Sequence, residues 1–261
     1  MWDPTSYLRY GDERSRPFHD LLARVAAERP RTVVDLGCGP GHLTATLPAR
    51  WPTARVVGLD SSAEMLAAAT RSRVEFAVAD VRTWAPGADI DVVVCNAVLQ
   101  WVPGHEELLL RWARELEPGC WLAVQVPGNF DAASHRALRE VAEAPRWRHL
   151  VADLRRTAPV RDAAGYADLL TGANCAVDAW ETTYVHLLPA PSGATDHPVL
   201  SWLEGTALRP FQAALGGEGT DWDDFRAALN ERLVEAYPVR HGLVQFPFHR
   251  VFFVARTGAR Q

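Results

Sequence analysis

The chain has 261 residues, of which 48% are hydrophobic, and a formal net charge of −5 at pH 7. This length and apolar content are enough for one compact enzyme domain with a sizeable core. A negative charge without any basic block excludes the electrostatic footprint of a nucleic-acid-binding protein. Because no run of about 18 apolar residues and no apolar leader occur, we expect no membrane-spanning helix and a cytoplasmic location.

All 27 basic residues are arginines, and the chain contains no lysine. This excludes a P-loop lysine, a Schiff-base lysine and a lysine general base. Anions must therefore be recognised by arginine, histidine, hydroxyl or backbone N–H groups. The planar guanidinium suits a carboxylate because it can bind both oxygens at once. The four cysteines are far apart and never form C-x-x-C, which predicts reduced thiols.

Up to residue 126 the predicted helices and strands alternate, which is typical of a parallel α/β sheet. The expected helices cover 16–28, 61–69 and 105–116, and the expected strands cover 32–36, 56–60, 74–79, 90–95 and 120–126. Ser61 and Glu64 match an S-x-x-E capping box, which places a helix start directly after Asp60. The nearly continuous apolar run at 90–95 is typical of a strand buried on both faces.

A glycine-rich loop follows the first strand. Gly37, Gly39 and Gly41 are spaced G-x-G-x-G, and Asp35 stands two residues before the first of them. Without a Cβ, the backbone of such a loop can approach a ligand closely. Dinucleotide-binding folds favour G-x-G-x-x-G, whose turn delivers a pyrophosphate to a helix N-terminus. Since S-adenosylmethionine has no phosphate, the observed spacing and the nearby acid favour it as the cofactor.

Acidic and polar residues also follow the later strands, at the edge where ligands bind in open α/β sheets. Asp60 ends the second strand, where its carboxylate can accept hydrogen bonds from both ribose hydroxyls. Asp80 ends the third strand, where it can reach an adenine amino group. The predicted cofactor residues are Tyr7, Arg16, Asp35, Gly37, Gly39, Gly41, Asp60, Ser61, Met65, Asp80, Val81, Asn96, Gln100 and Trp101.

After residue 127 the pattern changes. A helix over 162–170 precedes two strands rich in β-branched and aromatic residues, 176–188 and 245–256, which are expected to form the closing antiparallel pair. Residues 189–242 lie between these strands and contain two helical patterns, 197–215 and 222–237. About fifty residues cannot bury much core alone. We therefore predict a single domain over 1–261 with a helical lid at 189–242 above the cofactor.

The substrate candidates come from the amino terminus, the end of the fourth strand, and the lid with its flanking strands. They are Arg14, Trp101, Asn129, Tyr184, Trp202, Arg209 and Arg250. Surface ion pairs with Glu13 or Asp20 are the alternative for Arg14 and Arg16, and a structural ion pair is the alternative for Arg209. Because side chains alternate along a strand, only one of His249 and Arg250 is expected to face the ligand, and Arg250 is favoured. We expect His186 to be structural.

Several motifs resemble those of trans-aconitate 2-methyltransferases. They are Trp2-Asp3-Pro4, Glu13-Arg14-Ser15-Arg16-Pro17, the loop from Asp35 to Gly41, Gly58-Leu59-Asp60-Ser61-Ser62, the segment from Asn96 to Trp101, Ala123-Val124-Gln125-Val126-Pro127 and Leu208-Arg209-Pro210. The resemblance extends from Trp2 to Arg256. His42 departs from it, because members of the family often have asparagine or another small polar residue there.

The resemblance implies a Rossmann-like class I methyltransferase. Its fold is a mostly parallel seven-stranded sheet with an antiparallel last strand, helices on both faces and a helical lid inserted between the last two strands. The implied activity is methyl transfer from S-adenosyl-L-methionine to one carboxylate of trans-aconitate, which gives a monomethyl ester and S-adenosylhomocysteine. The expected partner is this small polycarboxylate, without nucleic acid or membrane. The oligomeric state is left open, and a monomer is compatible with the sequence.

The chemistry needs little from the protein beyond positioning. A carboxylate is already anionic at neutral pH, so its methylation requires no general base, metal or covalent intermediate, and no catalytic residue is named. Alignment and exclusion of water are expected to supply most of the acceleration. The alternatives are a methyltransferase for another small carboxylic acid or acyl thioester, a nicotinamide dehydrogenase, and a non-catalytic S-adenosylmethionine-binding protein.

Overall fold

The computed structural model describes residues 11–69, 73–154, 160–217 and 219–259. The strands are β1 Thr32–Leu36, β2 Arg55–Asp60, β3 Glu75–Val78, β4 Ile90–Asn96, β5 Trp121–Pro127, β6 Cys175–Pro189 and β7 Leu243–Thr257. The α-helices are α1 Gly11–Leu22, α2 Leu47–Arg50, α3 Ala63–Ala67, α4 His105–Glu115, α5 Ala133–Ala142, α6 Ala163–Thr171, α7 Pro198–Glu204, α8 Arg209–Ala214 and α9 Thr220–Ala236. Within these ranges no helix is long and apolar enough to cross a membrane.

The seven strands form one sheet in the order β3-β2-β1-β4-β5-β7-β6. β1 pairs in parallel with β2 and β4, β2 with β3, and β4 with β5, whereas β7 runs antiparallel to β5. The predicted mostly parallel sheet with an antiparallel last strand is confirmed. The strand order reverses between β1 and β4, and this switch point opens the crevice that doubly wound sheets use for ligands.

The central strands are buried on both faces, as their β-branched, apolar sequences predict. All five residues of β1 are buried, and Val92, Val93, Val94 and Cys95 of β4 have no exposed surface. Leu109 and Trp112 of α4 belong to the hydrophobic cluster that contains Val93 and Cys95. Packing in this core therefore holds the ends of β1 and β4 in place at the switch point.

Contacts divide the chain into two compact units. Unit 1 contains the described residues of Met1–Pro127, Pro159–Thr182 and Arg250–Gln261, and unit 2 those of Gly128–Ala158 and Thr183–His249. Unit 2 has a core of its own, in which the ring of Phe225 packs 5.3 Å from that of Trp147 and 5.7 Å from that of Phe211. The expectation of a single domain with a lid at 189–242 stays a prediction.

The predicted helix at 16–28 begins earlier and ends at Leu22. Tertiary contacts explain the early end. The carbonyl of Val25 accepts a hydrogen bond from the Arg50 guanidinium at 2.8 Å, and that of Ala27 accepts one from the Trp51 indole at 2.8 Å. These side chains satisfy carbonyls that a longer helix would have used itself, so the chain can turn towards β1.

The predicted capping box at Ser61 and Glu64 is wrong by one residue. Ser62 caps α3, because its Oγ accepts a hydrogen bond from the Met65 backbone N–H at 3.2 Å. In a capping box the acid three residues on accepts the N–H of the cap. Here Asp60 Oδ1 accepts the Ser62 N–H at 2.9 Å, so the carboxylate before the helix takes that role.

The predicted helix at 197–215 is two helices, α7 and α8, that are separated at 205–208. Pro210 explains the interruption, because proline lacks the N–H that a continuous helix would use and is favoured in the first turn of a new one. The helix predicted at 61–69 ends at Ala67. The remaining predicted helices and strands agree with the structure to within two residues.

Candidate functional site

The glycine loop at the switch point is fixed to β2 by its own backbone. The N–H groups of Gly37 and Cys38 both donate to the Leu59 carbonyl, at 2.7 and 3.0 Å. Gly37, Gly39 and Gly41 all have positive φ, at 73°, 57° and 74°. This left-handed conformation favours glycine, since other L-residues pay a steric cost there.

The three glycines differ in what surrounds them. A Cβ on Gly37 would lie 2.2 Å from Val98 Cγ2, and one on Gly41 would lie 2.5 Å from the Phe76 ring. A Cβ on Gly39 would meet no heavy atom of the described residues within 4 Å. Gly37 and Gly41 are thus required for packing, whereas the described part of the chain leaves room beside Gly39.

Asp60 connects this loop to the start of α3. Its Oδ2 accepts the Gly39 N–H at 2.8 Å, and its Oδ1 accepts the Ser62 N–H at 2.9 Å. A carboxylate has about four lone-pair sites. Both oxygens therefore retain a site that can accept a hydroxyl of a ligand.

Asp35 is the most perturbed acid of the site. It is 3% exposed, and its Oδ2 accepts a hydrogen bond from the Thr44 hydroxyl at 2.6 Å. Burial raises the pKa of Asp35 to about 7; the charge of Asp60 adds to the rise and the Thr44 bond opposes it. A cation bound beside Asp35 would favour the ionised form, because opposite charges stabilise each other in a buried site.

Asp80 pairs with its neighbour Arg82. The Arg82 Nε lies 3.0 Å from both carboxylate oxygens, and the Arg82 N–H donates to Oδ1 at 2.9 Å. These hydrogen bonds lower the pKa of Asp80, so the group is ionised. The pair is exposed to solvent, where ion pairs exchange partners at little cost. The predicted adenine contact of Asp80 stays a prediction.

The polar segment after β4 forms a tight turn at the switch point. Ala97 has a φ of 58°, which is unusual for a residue other than glycine, and its N–H donates to the Gln125 carbonyl at 2.8 Å. Gln100 is buried, and its side-chain amide donates to the Ala97 carbonyl at 2.6 Å. This bond closes the turn from within. Asn96 and Trp101 are half-buried at its two ends.

The other predicted cofactor residues are dispersed. Met65 is buried in α3, Ser61 is exposed and Val81 packs against the main core. The Arg16 side chain is 71% exposed and lies 3.7 Å from Asp20, in the surface ion pair that was its alternative. Tyr7 lies outside the described residues, and so does the side chain of Arg14.

Four of the predicted substrate residues belong to unit 2, and two of them share an aromatic cluster. The Tyr184 ring stacks 6.4 Å from that of His186, which stacks 4.9 Å from that of Trp202. Asn129 is buried, and its Oδ1 accepts the His249 N–H at 2.6 Å. Arg209, at the start of α8, is half-buried.

Asn129 has a fixed amide orientation. A backbone N–H can only donate, so the atom that faces His249 is the oxygen and the amino group points elsewhere. Among the described residues this Nδ2 has no hydrogen-bond partner. Asn129 thus offers a buried donor to a ligand.

Arg250 is 4% exposed, and its guanidinium donates to Gln125 Oε1 at 3.1 Å in unit 1. His249 is half-buried in unit 2, where its ring Nδ1 lies 3.3 Å from the Thr183 hydroxyl. Gln125 has no exposed surface and was not among the site residues predicted from the sequence. A glutamine inside the apolar run of β5 was the signal that would have identified it.

Comparisons with known proteins decide the family. A family model described as a methyltransferase domain matches residues 9–179. A curated trans-aconitate 2-methyltransferase of Mycolicibacterium gilvum is 56% identical over 98% of this chain and 99% of its own length. Curated proteins of the same name from Rhodococcus jostii and Mycobacterium tuberculosis are 52% and 49% identical over 98% and 99% of this chain, and 100% and 97% of their own lengths.

The chain belongs to the trans-aconitate 2-methyltransferase family. The predicted family and enzyme class are confirmed, and the cofactor is S-adenosylmethionine. The nicotinamide dehydrogenase alternative is therefore excluded.

Solved structures support the fold. The YcgJ protein of Bacillus subtilis gives a TM-score of 0.57 at 12% identity, covering 93% of this chain and 100% of that one. Phosphoethanolamine N-methyltransferase 2 of Haemonchus contortus, solved with S-adenosyl-L-methionine, gives 0.53 at 16% identity, covering 93% and 52%. At these identities the likeness shows the architecture of the family and nothing about the acceptor.

His105 and Tyr166 form a buried pair in unit 1 that was not predicted from the sequence. The His105 Nε2 lies 2.7 Å from the Tyr166 hydroxyl, and both side chains are buried. The other ring nitrogen, Nδ1, lies 3.3 Å from the Val102 carbonyl, directly after the turn that ends β4. In this family member the pair thus connects α4 and α6 to the segment beside the switch point.

Proposed function

We propose that the chain transfers a methyl group from S-adenosylmethionine to one carboxylate of trans-aconitate, with a monomethyl ester and S-adenosylhomocysteine as products. The similarity to curated enzymes of this name carries the proposal, at 49–56% identity over nearly the full chain. It covers the residues of both units and is not limited to the methyltransferase domain at 9–179. The similarity therefore extends over the segments that contain the proposed substrate residues.

The residues at the switch point fit the chemistry of the cofactor. When bound, S-adenosylmethionine supplies an electrophilic methyl group on a positively charged sulfur. We propose that Asp60 accepts ribose hydroxyls at its remaining lone pairs, and that Asp35 balances the positive charge of the methionine end. The room that the described residues leave beside Gly39 and the burial of the Asp35 carboxyl support this assignment.

The acceptor needs positioning more than activation. A carboxylate is ionised at neutral pH, so the protein has no proton to remove. We propose that Arg250, Arg209 and Asn129 bind the carboxylates of the substrate. Burial supports this role for Arg250 and Asn129, because a charge or donor held in a region of low dielectric binds an anion more strongly than one in water.

The test is methyl transfer to a panel of polycarboxylates. The protein is incubated with S-adenosylmethionine and trans-aconitate, cis-aconitate or citrate, and the products are measured by mass spectrometry. We expect trans-aconitate to gain one methyl group and an equal amount of S-adenosylhomocysteine to appear. The Asp60→Ala variant serves as a control for cofactor-dependent transfer. Methylation of another acid in place of trans-aconitate would overturn the proposed acceptor.

A further inference from the structure

Gln125 lies in the interior of β5, between apolar neighbours. Its side chain has no exposed surface. Its register partner in β4 is Asn96, and its partner in β7 is Phe252. Arg250 stands two residues from Phe252, so it shares the face of Gln125 as a diagonal neighbour, within reach of a long side chain. Asn96, Gln125 and Arg250 lie towards the carboxyl ends of β4 and β5, at the edge where the fold binds ligands.

The contact with Arg250 identifies the oxygen and the nitrogen of the Gln125 side-chain amide. A guanidinium only donates, so the atom that lies 3.1 Å from Arg250 Nη1 must be the carbonyl oxygen. The amino group, Nε2, then points away from Arg250. Among the described residues it has no hydrogen-bond partner. A buried donor without a partner is unfavourable, and a ligand that supplies an acceptor removes that cost.

The chemistry of the pair defines the ligand. Arg250 provides a positive charge and N–H donors, and Gln125 provides one more donor, because its own acceptor is already bonded to Arg250. Glutamine is neutral and adds no negative charge beside the guanidinium. A group that accepts from both residues is an anion with at least two acceptor oxygens, and a carboxylate has this composition.

We propose that Gln125 is a specificity-determining residue of the acceptor site, where its Nε2 donates to a substrate carboxylate that Arg250 also binds. This inference rests on the proposed function. The bound carboxylate is one that is not methylated, because hydrogen bonds and a guanidinium withdraw electron density from an oxygen and weaken it as a nucleophile. Gln125 thus requires an additional carboxylate in the acceptor besides the reacting one.

Two variants test the role of the donor. Gln125→Met keeps the volume but removes the amide, and Gln125→Glu keeps the acceptor for Arg250 and replaces the donor with a second acceptor. We expect Gln125→Met to raise the KM for trans-aconitate about 10- to 100-fold, the range for a lost hydrogen bond to a charged group. Gln125→Glu is expected to raise it further, since it repels the carboxylate. The affinity for S-adenosylhomocysteine, measured by calorimetry, is expected to stay unchanged.

Val124→Ala is the matched control. Val124 is buried in the next position of β5, and its side chain faces the opposite side of the sheet, in the main core. We expect it to lower the thermal stability while the KM for trans-aconitate stays at the wild-type value. If Gln125→Met weakens cofactor binding and substrate binding equally, or leaves the KM unchanged, Gln125 is structural and the inference is wrong. Should Gln125→Met not fold, Gln125→Glu decides by the same criterion.

A set of dicarboxylates separates specificity from general damage. Itaconate, glutaconate and mesaconate each correspond to trans-aconitate without one of its three carboxylates. The acid that lacks the reacting carboxylate is not methylated, so the comparison uses the other two. We expect Gln125→Met to lose its effect on kcat/KM for the acid that lacks the carboxylate bound by Gln125, and to retain it for the acid that keeps that group. An equal loss for both acids would overturn the inference.

The outcome distinguishes this inference from the proposed function. If the wild-type protein methylates trans-aconitate and Gln125→Met changes nothing, the inference fails and the function stands. If the wild-type protein methylates only a different polycarboxylate, the proposed acceptor fails. The same variants are then compared on that acid, where an unchanged KM overturns the inference as well.

Discussion

The Thr44 hydroxyl, which follows the glycine loop, donates a 2.6 Å hydrogen bond to Oδ2 of Asp35 in β1, which precedes the loop. Both side chains are buried, and the bond stabilises the ionised carboxylate against the cost of burial. The balance leaves the pKa of Asp35 at about 7. Asp35 therefore changes its protonation state within the physiological pH range, which has consequences for binding and for stability.

We expect the affinity for S-adenosylmethionine to increase as the pH rises from about 6 to about 8. Below its pKa of about 7, Asp35 is mostly protonated and has no charge to offer the cation, whereas above it the carboxylate is ionised. Binding near pH 7 should release a proton. Calorimetry in two buffers with different ionisation enthalpies measures this release directly.

Two variants serve as controls for the pH dependence of cofactor affinity. Asp35→Asn is expected to bind more weakly and with an affinity independent of pH. Thr44→Val removes the bond that favours the ionised form, so it should move the pH profile of binding to higher pH. A wild-type affinity that stays flat over the whole range would contradict the assignment of the titrating group to Asp35.

Without ligand, the same raised pKa makes the folded state less stable as the pH rises from about 4 to about 7. The unfolded chain ionises Asp35 near its ordinary pKa of about 3.9, while the folded state retains the proton up to about 7. The stabilisation is thus fully present below pH 4 and is lost through pH 7. Urea denaturation of the wild type and of Asp35→Asn over this pH range measures the free energy of unfolding. The expectation is wrong if this free energy changes with pH equally in the two proteins.

Substitutions of the loop glycines separate backbone strain from packing. Gly39→Ala places a residue with open surroundings in a left-handed conformation, so we expect a loss of about 1–2 kcal/mol in the free energy of unfolding. Gly37→Ala adds a contact of 2.2 Å with Val98, and we expect a further loss of about 1–3 kcal/mol.

The double variant Gly37→Ala/Val98→Ala is the control for this comparison. Removing the two methyl groups of Val98 relieves the contact with the new Cβ, so the double variant should be more stable than additivity predicts. Chemical denaturation of the four proteins gives the coupling energy. Strict additivity would show that the cost at Gly37 comes from the backbone alone.

The sequence predicts the residues whose place depends on strand order. Asp35 and Asp60 follow from the rule that ligands bind at the carboxyl ends of parallel strands, and both lie at the switch point. The pairing of Asp80 with Arg82 and the bond from Gln100 to its own turn depend on local rotamer choices. Periodicity and spacing contain no information about such choices.

Hydrogen-bond partners that are distant in the chain also could not be predicted from the sequence. Gln125 and Arg250 are 125 positions apart and meet because β7 inserts beside β5. Alternation along the strand indicated only that one of His249 and Arg250 faces the ligand. The sequence did not show what holds Arg250, because any buried acceptor on a neighbouring strand would have satisfied the same pattern.

Asp60 is expected to contribute strongly to cofactor affinity. Asp60→Ala removes the acceptor of the Gly39 and Ser62 N–H groups and frees the loop, so we expect the affinity for S-adenosylhomocysteine to fall at least about tenfold. Asp91→Asn is the matched control. Asp91 lies at the amino end of β4, where it accepts hydrogen bonds from Arg31. We expect Asp91→Asn to lower stability and to leave the affinity for S-adenosylhomocysteine unchanged. A comparable loss of this affinity in both variants would argue against a specific role for Asp60.

The His105–Tyr166 pair is expected to make stability depend on pH on the acidic side. The Val102 carbonyl can only accept, so Nδ1 of His105 has the proton and Nε2 accepts from the Tyr166 hydroxyl. Burial lowers the pKa of His105, so the folded state favours the neutral ring. The unfolded chain protonates this ring near pH 6.5, and stability is therefore lost as the pH falls below about 6.5.

Tyr166→Phe tests this arrangement, because it removes the donor to the neutral ring and keeps the packing on Phe253, whose ring centroid lies 4.8 Å away. We expect a loss of about 1–3 kcal/mol at neutral pH, the cost of an unsatisfied buried acceptor. The loss should be smaller near pH 5.5, since the bond stabilises only the neutral imidazole. Phe253→Leu perturbs the same packing without touching the hydrogen bond and should lower stability equally at both pH values. Urea denaturation measures the loss of stability in each variant at both pH values. A pH-independent loss in Tyr166→Phe would show that the hydroxyl acts through packing and not through His105.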